Sequence, residues 1–295
     1  MKFLNPKTDF AFKKIFGSEE SRDILLSFLN AILNLRSPYQ LVDIEILDPY
    51  LAPKIRGMKD TFLDVRAKDE NNRWYIIEMQ VLNVAGFEKR ILYNACKAYA
   101  GQIKRGEDYQ ILTDVIAITI ADFIMFEQQR EVINKFKLRA DDGQVYNDDL
   151  ELIFAELPKF NKAEDQLESL IDRWFYFLKH AEDLDVIPAA LESEPTIRHA
   201  FEIANKAGLS PEELEDQERR EMFIQDQRGA IEFAVKKAEV RAEKRGEKRG
   251  EKRGDSSARN EIANALYDLI SDDNVVAEKT GLTVPEIKKL RENPQ

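Results

Sequence analysis

"TFLDVRAKDENNRWYIIEMQ", residues 61–80, decides the fold. Its two halves alternate apolar and polar side chains as strands do, and the polar stretch between them reads as a turn. Each half nevertheless carries an acid where an apolar residue would pack better: Asp64 in the first, Glu78 in the second. Side chains alternate across a strand, so Phe62, Asp64, Arg66 and Lys68 share one face while Leu63, Val65 and Ala67 share the other. In the second strand Tyr75, Ile77, Met79 and Val81 form the apolar set, opposed by Trp74, Ile76, Glu78 and Gln80. Both apolar sets belong on one side of the sheet, so paired residue numbers must sum to an even value, and 142 is the natural one. That register sets Asp64 opposite Glu78 and Phe62 opposite Gln80. It needs a three-residue loop, Glu70-Asn71-Asn72, closed by Asp69 and Arg73, or else a compensating bulge. A two-residue Asn-Asn turn would split the carboxylates between faces.

Directly opposed carboxylates repel by roughly 0.2–1 kcal/mol. A shared divalent cation removes that repulsion, because each carboxylate offers a hard oxygen ligand. Such an ion lowers the pKa of a bound water and neutralises charge on a phosphate under attack. Gln80 points the same way as Glu78 and is expected to orient the water. The competing reading is a solvated polar face whose acids pair with Arg66 and Arg73.

The rest of the chain sets bounds. With 295 residues and 43% hydrophobic content it can bury a sizeable α/β core plus an appendage. No run of 18 apolar residues occurs, so no membrane span is expected. The start, "MKFLNPKTDF", lacks a secretory pattern. One cysteine, Cys96, excludes a disulfide framework and makes a cytoplasmic location the expectation. Two histidines and one cysteine cannot build the usual zinc sites, so any metal must be held by oxygen. Net charge is −11, against a general nucleic-acid binder. Residues 229–254, however, carry nine Lys/Arg against five Glu, a local balance of +4.

Spacing predicts a helical stretch from Lys7 to Asn34, with Ser18 as a cap and an apolar stripe from Ile24 to Leu33. A strand ends at Asp48-Pro49, and the hairpin follows. A helix over 86–109 stops at Gly106, "LTDVIAITIADF" is a buried strand, and "KFKLRADDGQVYNDDLELIFAELPKF" is a second hairpin turning at Asp-Asp-Gly. The expected organisation is an α/β domain over 1–160, a helical region over 161–240, a tether over 241–256 and a small helical module over 257–295.

This order of elements, with Asp on the second strand and Glu-x-Gln on the third, resembles the PD-(D/E)XK nuclease superfamily. It is closest to the branch of PD-(D/E)XK family transposases that includes the recombination-promoting nucleases (Rpn). "DFAFKKIFG", "FLNAIL", "IEMQ", "RILYNACKAYAGQIKRGEDY" and "ELPKF" carry the resemblance, over residues 1 to about 160, and the tail is similar too. The resemblance implies a restriction-endonuclease-like mixed sheet flanked by helices, followed by an all-helical C-terminal region. It further implies a DNA endonuclease dependent on Mg²⁺ or Mn²⁺, associated with recombination or mobile elements. A non-catalytic DNA-binding or interaction protein on the same fold is the alternative, and a homo-oligomer is a candidate assembly. Asp64 and Glu78 match the metal-binding acids. Gln80 stands where the wider superfamily has lysine, and an amide can hydrogen-bond but carries no charge. Lys89 or Arg90 on the next helix is a candidate source of that charge. Lys89, Arg90 and Gln102 are candidate DNA or phosphate contacts. Asp9 is a candidate additional acid, or else a helix cap.

"EKRGEKRGEKRG", residues 243–254, repeats one tetrapeptide. Each glycine weakens a helix by roughly 1 kcal/mol relative to alanine, so a marginal helix or flexible tether is expected. In "NVVAEKTGLTVPEIKKL" the spacing fits helix–turn–helix, with Thr283 and Glu286 as a capping box.

Overall fold

The register of the first hairpin organises everything around it. In the computed structural model, which describes residues 2–51, 61–267 and 273–292, β4 (Val65–Asp69) and β5 (Trp74–Gln80) pair antiparallel. Val65 lies opposite Ile77 and Ala67 opposite Tyr75, the register expected from the apolar sets. The loop Glu70–Asn72 is closed by a bond from Asp69 N to Arg73 O of 3.1 Å. Asn72 takes φ 61°, a left-handed conformation that asparagine tolerates. Asp69 is buried beneath this loop, where it accepts from the backbone N–H groups of Asn71 (2.8 Å) and Arg73 (2.9 Å), from Arg73 Nε (2.8 Å) and from the Tyr75 hydroxyl (2.9 Å).

β4 and β5 sit inside a six-stranded sheet that also contains β1 (Ile44–Leu47), β6 (Val115–Ala121), β7 (Ile133–Arg139) and β8 (Val145–Glu156), in the order β1-β4-β5-β6-β8-β7. The β5–β6 and β6–β8 pairs are parallel and the others antiparallel, so the sheet is mixed. All seven residues of β6 are buried, as expected for a strand covered on both faces. The second hairpin turns at Asp-Asp-Gly, with Gly143 at φ 89°.

On one face of the sheet, α1 (Asp9–Phe16), α2 (Arg22–Leu33), α4 (Leu170–His180), α5 (Ala189–Glu192) and α6 (Pro195–Ala204) share a core with Val65, Ala67, Tyr75, Ile77 and Met79. Phe16, Phe28 and Trp174 form an aromatic cluster there, with centroids 5.3–6.0 Å apart. On the other face α3 (Phe87–Gly101) covers Leu63, Ile76, Val115 and Ala117.

Four expectations are corrected. The helical stretch from Lys7 is two helices, broken at Gly17. A Cβ there would stand 2.8 Å from Lys13 O of its own helix and 3.3 Å from Val65 Cγ2 of the strand, so only glycine fits this helix end without a shift. Phe62 does not face Gln80. The chain bends at Asp64, and Thr61–Phe62 (β3) leaves the main sheet to pair with Tyr50–Leu51 (β2) in a separate two-stranded sheet. The same bend moves Leu63 to the α3 face, away from Val65 and Ala67. Finally, α3 ends at Gly101, capped by Gln102, before Gly106.

The chain divides into two units, Met1–Gln227 and Arg228–Gln295. In the first, α7 (Pro211–Tyr267) opens with contacts to α1: Lys14 to Glu213 at 2.6 Å, Thr8 to Gln217 at 3.0 Å, and Arg220 to Asp9. In the second, the backbone is helical through the EKRG repeat. The end of α7 then packs with α8 (Asp273–Thr280) and α9 (Val284–Glu292) around Ala263, Val276 and Ile287. Gly281 turns between α8 and α9 at φ 70°, and Glu286 accepts from Thr283 N at 2.8 Å. Among the described residues no helix is long and apolar enough to cross a membrane.

Candidate active site

Asp64 and Glu78 come together because β4 begins one residue after the bend. Continuing the pairing of Val65 with Ile77 by one step brings Asp64 opposite Glu78. The bend turns the Asp64 side chain back to its partner strand, where Oδ2 accepts from Met79 N at 2.8 Å. Glu78 and Gln80 follow Ile76 on the face toward α3. One cleft is lined by Asp9, Lys13, Asp64, Glu78, Gln80, Lys89, Arg90 and Asn94. It holds about 1110 Å³, above the roughly 300–1,000 Å³ of a small-molecule pocket.

The two acids are nearly buried and sparsely compensated. Burial pushes the Asp64 carboxyl above its ordinary range, opposed by the Met79 N–H and by Lys13, whose Nζ stands 3.4 Å from Oδ1. Burial also pushes Glu78 up. The Asn94 amide at 2.6 Å opposes this, the charge of Asp64 adds to it, and Arg90 lies 4.0 Å from Oε2. Arg66 and Arg73 serve neither acid as their partner. Arg66 stacks on Trp74 at 4.3 Å and donates to Asp48 O, and Arg73 pairs with Asp69.

Of the other predicted residues, Lys89 and Arg90 lie in the cleft on α3, and both are exposed. Gln80 donates from Nε2 to Leu82 O at 2.6 Å and accepts from Arg90 at 2.7 Å. Asp9 lies in the cleft between Arg220 and Lys13. The cap of α1 is Thr8, whose hydroxyl accepts from Ala11 N at 3.3 Å. Gln102 is elsewhere: its amide pairs with Thr113 at 2.8 and 2.9 Å, which ties the end of α3 to the start of β6. Lys13 and Asn94 were not read from the sequence. The only local signal was spacing, since each stands four residues after a named residue, Asp9 and Arg90.

The donor set suits a hard divalent cation. Two carboxylates disfavoured as anions by burial, Glu78 also by the charge of Asp64, are stabilised as anions by a shared ion. Among the described residues no group of three or more acids, histidines or cysteines is gathered as a metal cluster. Mg²⁺ is commonly held by one or two carboxylates, with water and substrate phosphate completing the shell.

A mixed sheet flanked by helices, with two such acids at the open end of its central hairpin, defines a restriction-endonuclease-like nuclease fold. The chain belongs to the PD-(D/E)XK nuclease family transposases, whose family profile matches residues 6–234. No curated protein and no solved structure matches it.

Proposed function

We propose that the protein is a divalent-metal-dependent DNA endonuclease, active in recombination or in the movement of mobile elements. The observation that carries this reading is the pair Asp64 and Glu78, two nearly buried acids raised above their ordinary range in one cleft edged by cations. Asp64 and Glu78 would hold the ion, Mg²⁺ or Mn²⁺. Bound there, it supplies an acidified water and neutralises charge developing on the phosphate. Asn94 and the Met79 N–H orient the two carboxylates. Lys13 balances Asp64 when the metal is absent. Lys89 and Arg90 present positive charge to the DNA backbone, as phosphate contacts do.

Nicking of supercoiled plasmid tests this. Wild type is expected to nick with Mg²⁺ and not with EDTA, and Glu78→Ala to lose at least about 100-fold, more than the loss of an outer-shell partner of a metal site. Equal nicking by both proteins would mean a contaminant and remove the assignment. The uncharged Gln80 favours a second reading, a DNA-binding protein that keeps the fold without cutting. Salt-sensitive DNA binding with no metal-dependent nicking would select it.

A further inference from the structure

We infer that Gln80 is a positioning residue that mounts Arg90, and that the Arg90 guanidinium supplies at the cleft the charge a lysine at position 80 would carry. This rests on the nuclease reading. The two contacts of the Gln80 amide have opposite polarity. Its Nε2 donates to the Leu82 carbonyl at 2.6 Å, and its Oε1 accepts from Arg90 Nη2 at 2.7 Å. Only a group with both a donor and an acceptor makes that pair of bonds. Glutamate would accept from Arg90 but could not donate to Leu82 O. Lysine would donate to Leu82 O but would repel Arg90. Asparagine is one methylene shorter. Gln80 is thus suited to holding a neighbouring cation rather than to being one.

Arg90 is held from three sides. Besides Gln80, Glu78 Oε2 lies 4.0 Å from Nη2, and the guanidinium sits 5.1 Å from the centre of the Phe87 ring. Both polar contacts use the same nitrogen, Nη2, while the guanidinium carries five N–H donors. The side chain is 47% exposed, in the cleft that contains both acids. A planar guanidinium fixed in this way is a preorganised partner for phosphate oxygens, and fixing it in advance lowers the cost of ordering it during the reaction.

The test is a double-mutant cycle in single-turnover plasmid cleavage, with Mg²⁺ binding followed separately by thermal shift. Gln80→Ala and Arg90→Ala are each expected to lower the cleavage rate by about 100-fold, and the double variant to fall no further than either. Gln80→Lys should recover part of the rate in the Arg90→Ala background and lower it when Arg90 is present. The Mg²⁺-induced thermal shift should survive in all of these variants and vanish in Glu78→Ala. Additive losses, a neutral Arg90→Ala, or no recovery by Gln80→Lys would overturn the inference. If wild type fails to cut with Mg²⁺ or Mn²⁺, the nuclease reading fails by itself. The same cycle is then read in the affinity for a short DNA duplex in Ca²⁺, where additive losses would again overturn the link between Gln80 and Arg90.

Discussion

The two ends of one hairpin treat buried acids in opposite ways. At the closed end, Asp69 is fully covered and accepts four hydrogen bonds, one from a guanidinium. At the open end, Asp64 has a single backbone donor and an ammonium at 3.4 Å, and Glu78 has a single amide and a guanidinium at 4.0 Å. Both ends bury charge, which is costly unless it is paired. The closed end recovers that cost within the chain. The open end leaves part of it unrecovered within the chain, as the proposed metal site requires. A saturated acid holds a turn; an undersupplied pair suits an added cation.

That contrast can be broken at either end. The largest effect is expected at the turn: Asp69→Ala strands Arg73 and Tyr75 and should cost about 3 kcal/mol of stability, measured by urea unfolding. Per folded molecule, its Mg²⁺ binding should be unchanged. Glu78→Gln should do the reverse, abolishing the Mg²⁺-induced thermal shift while leaving the metal-free protein at least as stable as wild type. A marked loss of metal-free stability in Glu78→Gln would make the open end structural like the closed one.

Asn94→Ala removes the donor that opposes the upward shift of Glu78, so Mg²⁺ affinity should fall by roughly 10–100-fold. The pH at which binding is half lost should move upward, because protons then compete better for Glu78. The smallest effect concerns metal-free stability against pH. A carboxyl whose folded pKa is raised contributes stability below its unfolded value, and that contribution is lost as pH rises through the folded value. Metal-free wild type should therefore lose stability as pH rises above the ordinary carboxylate range. Asp64→Asn should flatten that decline and gain on the order of 1 kcal/mol at pH 7. A steeper decline in the variant would show that Lys13 outweighs the burial of Asp64.

What the sequence disclosed was local and periodic. Alternation alone placed Val65 opposite Ile77, and a run rich in Val, Ile and Thr marked β6 as a buried strand. The features it hid depend on contacts between distant parts of the chain. Nothing near Asp64 announces a bend, because Phe62 and Leu63 continue the strand pattern, yet the chain departs there to pair with Tyr50. Lys13 meets Asp64 across 51 positions and Asn94 meets Glu78 across 16, distances at which helical or strand periodicity gives no guidance. Gln102 reads in the sequence as a candidate DNA or phosphate contact because its partner, Thr113, lies beyond an intervening loop.

Gly17 links the first helix to this chemistry. Its missing side chain lets the end of α1 rest beside Val65, the residue immediately after Asp64. Asp64 is thereby carried close to the helical layer, with Val65 Cγ2 only 3.3 Å from where a Cβ at position 17 would stand. An alanine at position 17 would push on the strand at its mouth, and a shift of a few tenths of an ångström there would be carried directly to the carboxylate. The placement of Asp64 is thus exposed to a substitution at a position that carries no functional group of its own.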